Sequence, residues 1–206
     1  MTKRHRCLNM AIRGRTPLSA EQIRELAGDP SSADLRSVFA DRGNLGPASA
    51  RVIAESPYLV GLSVLSLSGN PIGDEGVAAL ARSPIANELE KLYLSGCQVT
   101  DEGVHAIADA APPKLATLFL GNNTAVSGPC LTRLSVLPAL VQLDVRFTQL
   151  DNESAIELAR SCPRLGMLTF WYTRVTTDAH WDITRAGRTD GRFLRIFPDR
   201  LRDMSY

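Results

Sequence analysis

The apolar positions of this chain recur in a fixed frame. Leu62, Leu65, Leu67 and Ile72 come round again as Leu89, Leu92, Leu94 and Val99. The frame returns as Leu115, Leu118 and Leu120, then as Leu140, Leu143, Val145 and Leu150, then as Leu165, Leu168, Phe170 and Val175. Leu35, Val38, Ala40 and Leu45 fit it more loosely. The starts at 35, 62, 89, 115, 140 and 165 give a period of 25 to 27 residues. One step further lands on Gly191, Leu194, Ile196 and Leu201, and one step back on Leu8, Ala11 and Leu18. Six repeats are clear, and the two ends read as decayed copies.

Each repeat holds two periodicities. Leu65 and Leu67 alternate with Val64, Ser66 and Ser68, as a strand with one buried face requires. After Ile72 come Asp74, Gly76, Val77, Leu80 and Ala81, the spacing of a short amphipathic helix. Two residues past the last apolar position of each loop stand Asp74, Asp101, Ser127, Asn152 and Thr177. All five can accept hydrogen bonds from the unpaired amides of a helix start. A strand followed by one helix cannot bury its apolar side alone, so successive units must stack.

The frame LxxLxLxxNxL resembles the leucine-rich repeat family. The period, with Gly-Asp-Glu-Gly at 73–76 and Thr-Asp-Glu-Gly at 100–103, is similar to the ribonuclease-inhibitor-like subclass and to bacterial arrays of this kind. The resemblance implies an α/β solenoid: a short right-handed arc with parallel strands on the concave face and helices on the convex face. It places Asn70 and Asn123 where the family's asparagine bonds loop amides of adjacent coils. Cys97, Thr148 and Thr173 replace that asparagine with fewer hydrogen bonds, and Gly43, which has no side chain to bond, implies a looser turn. Residues 1–34 are expected to form an N-terminal cap with a degenerate repeat, 35–180 the repeats, and 181–206 a C-terminal cap. The first cap would use a helix from Ser19 to Ala27 with Leu18, Ile23 and Leu26 inward. The second would bury Trp181, Ile183, Phe193, Leu194, Ile196, Phe197 and Leu201.

The frame also fixes what the concave face displays. One column, between the two buried strand positions, reads Phe39, Ser66, Tyr93, Phe119, Asp144, Thr169 and Arg195. The next reads Asp41, Ser68, Ser95, Gly121, Arg146, Trp171 and Phe197, and the third Arg42, Gly69, Gly96, Asn122, Phe147 and Tyr172. The second and third repeats are nearly bare, whereas the C-terminal half gathers aromatics and arginine, the residues that dominate interface energetics. Tyr93, Phe119, Asp144, Arg146, Phe147, Trp171 and Tyr172 are therefore the candidate partner-binding residues. The competing reading has Phe147 and Tyr172 packing on their neighbours at the loop edge and Trp171 covered by the tail. Eight strands about 4.8 Å apart span roughly 34 Å. The face then offers on the order of 500 Å², against about 800 Å² per partner in a standard interface, so flanking loops would contribute.

Composition and charge narrow the function. The 206 residues include 27 leucines, and 23 basic side chains against 22 acidic ones leave a net charge of +1. No whole-protein field recruits nucleic acid or an anionic membrane. The charge is uneven, however. Five Lys or Arg precede the first acid, Glu21, and Arg185, Arg188, Arg192, Arg195, Arg200 and Arg202 face only Asp190, Asp199 and Asp203. No stretch suits a bilayer span, and the basic start lacks the apolar core of a secretory signal. The four cysteines, Cys7, Cys97, Cys130 and Cys162, stand far apart without metal-ligand spacing. A cytoplasmic setting follows, with no metal and no cofactor. Phosphate-loop, dinucleotide and metalloprotease motifs are absent, and no frame argument brings His5, His105 or His180 beside a nucleophile or a carboxylate pair. The expectation is a non-enzymatic scaffold that binds a protein partner through its concave face. Two alternatives stand beside it: a GTPase regulator, because Ran GTPase-activating protein shares the repeat subclass, and a basic-ended binder of nucleic acid or anionic surfaces.

Overall fold

The computed structural model describes residues 17–188 and 194–197. Seven three-residue strands lie in one parallel sheet in sequence order: β1 (Ser37–Phe39), β2 (Val64–Ser66), β3 (Lys91–Tyr93), β4 (Thr117–Phe119), β5 (Gln142–Asp144), β6 (Met167–Thr169) and β7 (Arg195–Phe197). Between them run α2 (Pro47–Ala54), α3 (Gly73–Ala81), α4 (Asp101–Ala110), α5 (Gly128–Thr132), α6 (Asn152–Ser161) and α7 (His180–Ala186), preceded by α1 (Ala20–Gly28). Each strand and its following helix form one coil, numbered here from one to seven by strand. The eighth strand expected near Leu8 falls outside the described residues.

Strand pairing follows the apolar frame through the first six coils. Val38, Leu65, Leu92, Leu118, Leu143 and Leu168 stand side by side across the sheet, each at most 4% exposed. With Ala40, Leu67, Leu94, Leu120, Val145 and Phe170 they make a core that runs the length of the array between sheet and helices. Every fully buried leucine contributes about 1.5–3 kcal/mol, so cohesion is spread along the chain with no centre. At the N-terminal side, α1 opens with a capping box: Ser19 Oγ accepts from the Gln22 amide, and Gln22 Oε1 from the Ser19 amide. Leu18, Ile23 and Leu26 are buried.

Four local expectations change. Leu168 pairs with Ile196, and Thr169 with Phe197, so the last strand starts two residues later than the frame extrapolates. Arg195 therefore faces Met167 instead of occupying the Thr169 column. A slip of two keeps every side chain on its own face, so alternation alone cannot detect it. Trp181, expected inside the C-terminal cap, is 79% exposed on α7, while Ile183 and Leu194 are buried. Gly43 does not mark a loose turn: a Cβ there would meet the Leu18 carbonyl oxygen at 2.1 Å, so glycine lets the N-terminal segment close on coil one. In coil four the loop from Asn123 to Val126 is one residue longer than its counterparts. Ser127 therefore aligns with Thr100, and Gly128 with Asp101.

That shift exposes a second ladder on the helix-entry side. Asp74 accepts from Thr100 N at 2.8 Å, Thr100 Oγ1 at 2.7 Å and Gly103 N at 3.0 Å, so it caps the helix of the next coil and not its own. Asp101 takes Ser127 N and Ser127 Oγ at 2.7 Å each, and Asn152 exchanges bonds with Thr176. Of the expected column, Ser127 alone caps its own helix, accepting from Cys130 N. The helices α4 and α6 are capped by Thr100 and Asp151, one residue earlier than that column.

Candidate functional site

The chain leaves each strand through the same turn, and that turn is left-handed. Arg42, Gly69, Gly96, Asn122, Phe147 and Tyr172 have φ between 55° and 72°, at equivalent places in coils one to six. Glycine adopts this conformation without strain, and bulky side chains are rare in it. Coils two and three use glycine, whereas coils five and six hold Phe147 and Tyr172 there. Their rings stack with centroids 4.4 Å apart and planes at 17°, and they remain 38% and 43% exposed. The rings thus pack on each other, as the competing reading expects, and still face solvent.

One step back toward the strand, Arg146 and Trp171 form a second pair. The Arg146 guanidinium lies 5.5 Å from the Trp171 ring centroid, within cation–π range. Arg146 is fixed from below by Asp144, whose carboxylate accepts from Arg146 Nε at 2.9 Å, from Nη2 at 2.7 Å and from the Arg146 amide at 3.1 Å. Asp144 is 3% exposed; a carboxylate so placed needs such partners. Gly121 leaves room for it, because a Cβ there would stand 3.2 Å from Asp144 Oδ1. Trp171 is half-buried, and its indole Nε1 is buried with no hydrogen-bond partner among the described residues. In the first column Tyr93 and Phe119 meet edge to face at 4.8 Å.

The seven candidate residues thus fall in three groups: Tyr93 with Phe119 and Asp144 with Arg146 and Trp171, which share the strand face by alternation, and Phe147 with Tyr172 in the left-handed turn that borders it. Sequence reasoning passed over the column two residues earlier, Ser37, Val64, Lys91, Thr117, Gln142 and Met167, which shares this face by strand alternation. Lys91 is exposed there, and Gln142 and Met167 are half-buried. The same alternation that picked out Tyr93 and Phe119 would have found them.

Among the described residues, Cys97, Cys130 and Cys162 are free and buried in the coils. Cys97 donates its thiol to the Leu67 carbonyl at 3.2 Å, and its amide to Asn123 Oδ1 at 2.9 Å. Burial pushes the Cys97 and Cys162 thiols up to about 11, and the Cys130 thiol to about 12. His180 meets the edge of Phe170 at 5.7 Å. Among the described residues no cluster of His, Cys, Asp or Glu could hold a metal ion, and no helix is long and apolar enough to cross a membrane.

A family model described as "Leucine Rich repeat" matches residues 62–81 and 87–108, coils two and three. Among solved structures, the chain is similar to one from the yeast Rad7–Elc1 complex, with a TM-score of 0.65 and 20% identity over 85% of this chain. This chain spans 44% of the length of that one. It is also similar to internalin C2 from Listeria monocytogenes, with a TM-score of 0.56, 14% identity, and coverage of 87% of this chain and 92% of that one. The actin-binding site 2 of leiomodin-1 matches at a TM-score of 0.53 and 15% identity, over 70% of this chain and 86% of that one. No curated protein sequence matches the chain. The matches support a leucine-rich repeat assignment, and the fold is an open α/β leucine-rich repeat solenoid.

Proposed function

We propose that this protein is a non-enzymatic scaffold that binds a protein partner through the strand face, centred on Arg146, Phe147, Trp171 and Tyr172. The observation that carries the reading is the pair of aromatic rings held in the left-handed turn. Folding asks for glycine at that place, as Gly69 and Gly96 illustrate, and bulky residues there are strained by about 1 kcal/mol each. Their exposure and mutual stacking give them a use at the surface that the core does not need. Preorganisation supplies the mechanism: ring pair, cation–π pair and buried carboxylate are ordered before any partner arrives, so little side-chain freedom is lost on binding. The similar structures from the Rad7–Elc1 complex and from the actin-binding site 2 of leiomodin-1 are in keeping with a recognition role.

Residues 1–34 and 181–206 act in this reading as caps on a repeat body of 35–180. The period and the Asp-Glu-Gly helix starts support the ribonuclease-inhibitor-like subclass and a bacterial type of array, and the free thiols of Cys97, Cys130 and Cys162 support a cytoplasmic setting.

Photo-crosslinking tests the site. With benzoylphenylalanine in place of Tyr172, irradiation in the native cell is expected to yield discrete protein adducts, and the same probe in place of Trp181 on α7 is expected to yield none. Equal adducts from both positions would overturn the assignment to the strand face.

A further inference from the structure

The charges of the strand face are sorted by depth. Its two acids are withdrawn: Asp144 is buried beneath Arg146, and Asp41 accepts from Ser66 Oγ at 2.5 Å and Ser68 N at 2.9 Å. Its cations stand forward. Arg42 and Lys91, and Arg195 beyond the aromatic pair, are exposed, and none has an ion-pair partner among the described residues. Glu90 is the exposed acid bordering the entry edge of β3. Between Arg42 and the aromatic pair the floor is low, built of Ser68, Gly69, Ser95, Gly96 and Gly121, with Asn122 the one larger side chain of the turn column. Arg42 leans across this floor: a Cβ on Gly69 would meet its Cγ at 2.9 Å.

Resting on the strand-face reading above, we infer that the occupant is an extended acidic segment of the partner protein. It would carry an aromatic residue against Phe147–Tyr172 and carboxylates within reach of Arg42 and Lys91. Five inter-strand steps of about 4.8 Å take the floor and its two ends to about 24 Å. An extended chain at about 3.4 Å per residue covers that with about seven residues. Complementary charge then sets both selectivity and encounter rate. A single nucleic-acid strand is the lesser fit. Two forward cations over that length are few for its phosphates, and the 4.4 Å separation of Phe147 and Tyr172 leaves no slot for a base between the rings.

The test uses the whole protein, labelled with 15N, and three probes. These are a twelve-residue peptide of Glu, Asp and Phe, the same peptide with Lys and Arg in place of the acids, and a twelve-nucleotide oligo-dT. The two tryptophans report position, since Trp171 lies on the strand face and Trp181 on α7. The acidic peptide is expected to shift the Trp171 indole resonance, leave that of Trp181 in place, and bind at least about tenfold more tightly than the basic one. Arg42→Glu with Lys91→Glu should weaken it about tenfold or more, and raising salt from about 50 to about 300 mM should weaken it further. Equal binding of both peptides, or tighter binding of oligo-dT, overturns the acidic assignment. Absence of saturable binding by any probe overturns it too. If Phe147→Gly with Tyr172→Gly abolishes binding of both peptides while the charge variant leaves it unchanged, the acidic assignment falls and the strand-face reading stands. If Trp181 moves and Trp171 does not, the strand-face reading falls with it.

Discussion

Between coils one and four a buried side chain crosses every loop junction; from coil four onward none does. Asn70 donates to Ala40 O at 2.8 Å and accepts from Leu45 N at 3.0 Å, tying coil two to coil one. The Cys97 thiol reaches Leu67 O. Asn123 donates to Leu94 O at 2.9 Å and accepts from Cys97 N and Val99 N at 2.9 and 3.0 Å. In coils five and six, Thr148 and Thr173 bond Val145 O and Phe170 O within their own coils. The side chains that still cross at these later junctions, Gln149, Asn152 and Arg164, do so in exposed bonds. The exposed aromatic stack lies in the opposite half. Coils two and three hold glycine in the turn column, and coils five and six hold the stacked Phe147–Tyr172 pair beside Arg146 and Trp171. In this solenoid the buried side-chain ladder and the aromatic stack are concentrated in different halves, while the forward cations Arg42 and Lys91 stand on the laddered one.

Breaking the ladder should separate the halves most. Asn123→Ala leaves two buried amides without acceptors, and a loss of about 3 kcal/mol is expected from unsatisfied donors of this kind. Thr148→Ala removes a bond inside one coil and should cost about 1 kcal/mol. Urea unfolding of both variants checks the contrast, and equal losses would erase it. The helix-side ladder comes next. Asp74→Ala removes a cap and an inter-coil link from α4, for about 1–2 kcal/mol, and hydrogen exchange should show the first turn of α4 opening ahead of the rest of its coil.

The third test is a pH series on the central coils. Burial raises the Asp101 pKa, but hydrogen bonds from Cys130 and from the amide and hydroxyl of Ser127 outweigh it, so the group sits below its ordinary 3.8. Its folded pKa is lower than its unfolded one, so its stabilisation is fully present above the unfolded value. That stabilisation is lost as pH falls through about 3.8 and below. Asp101→Asn should flatten this part of the stability curve in denaturation measured from about pH 6 to pH 2. The smallest stability change is expected on the display side. Phe147→Gly with Tyr172→Gly loses a stacked pair of about 0.5–1.5 kcal/mol and relieves two strained turns of comparable size. Thermal unfolding should therefore shift the midpoint by only a few degrees, while adducts from benzoylphenylalanine placed at the exposed Asn122 of the same column disappear. Arg146→Ala is the poorer probe of binding, because it strands the Asp144 carboxylate in the interior and confounds recognition with stability.

The strand register through coil six could be read from the sequence because leucine at every third and second step admits one pairing that buries them all. The first two display columns followed from the same alternation. What escaped has physical reasons. The two-residue slip at β7 keeps the faces unchanged, so Leu194 and Ile196 compete for one place on pattern alone. Asp74 and Asp101 open helices in the sequence, and only stacking reveals that their carboxylates serve the coil after them. Trp181 is apolar by type, yet it occupies the outer side of α7, whose inner side is filled by Ile183. The left-handed turn had left a trace, since Gly69 and Gly96 share a column with Arg42, Asn122, Phe147 and Tyr172. That trace becomes legible once the column is read for backbone shape instead of side-chain chemistry.

Gly96 is the unused socket of that column. Its φ is 63°, and a Cβ added there would meet nothing closer than Asn122 Cβ at 3.8 Å, whereas Gly69 is crowded by Arg42. A library built at 96, 122, 147 and 172 would vary four consecutive rungs of one surface without touching the core. Each new side chain at 96 would carry a backbone penalty of about 1 kcal/mol, the same kind the chain already sustains at three neighbouring rungs. In design terms the turn is a graftable rail, along which binding specificity can be rewritten independently of the register that holds the coils together.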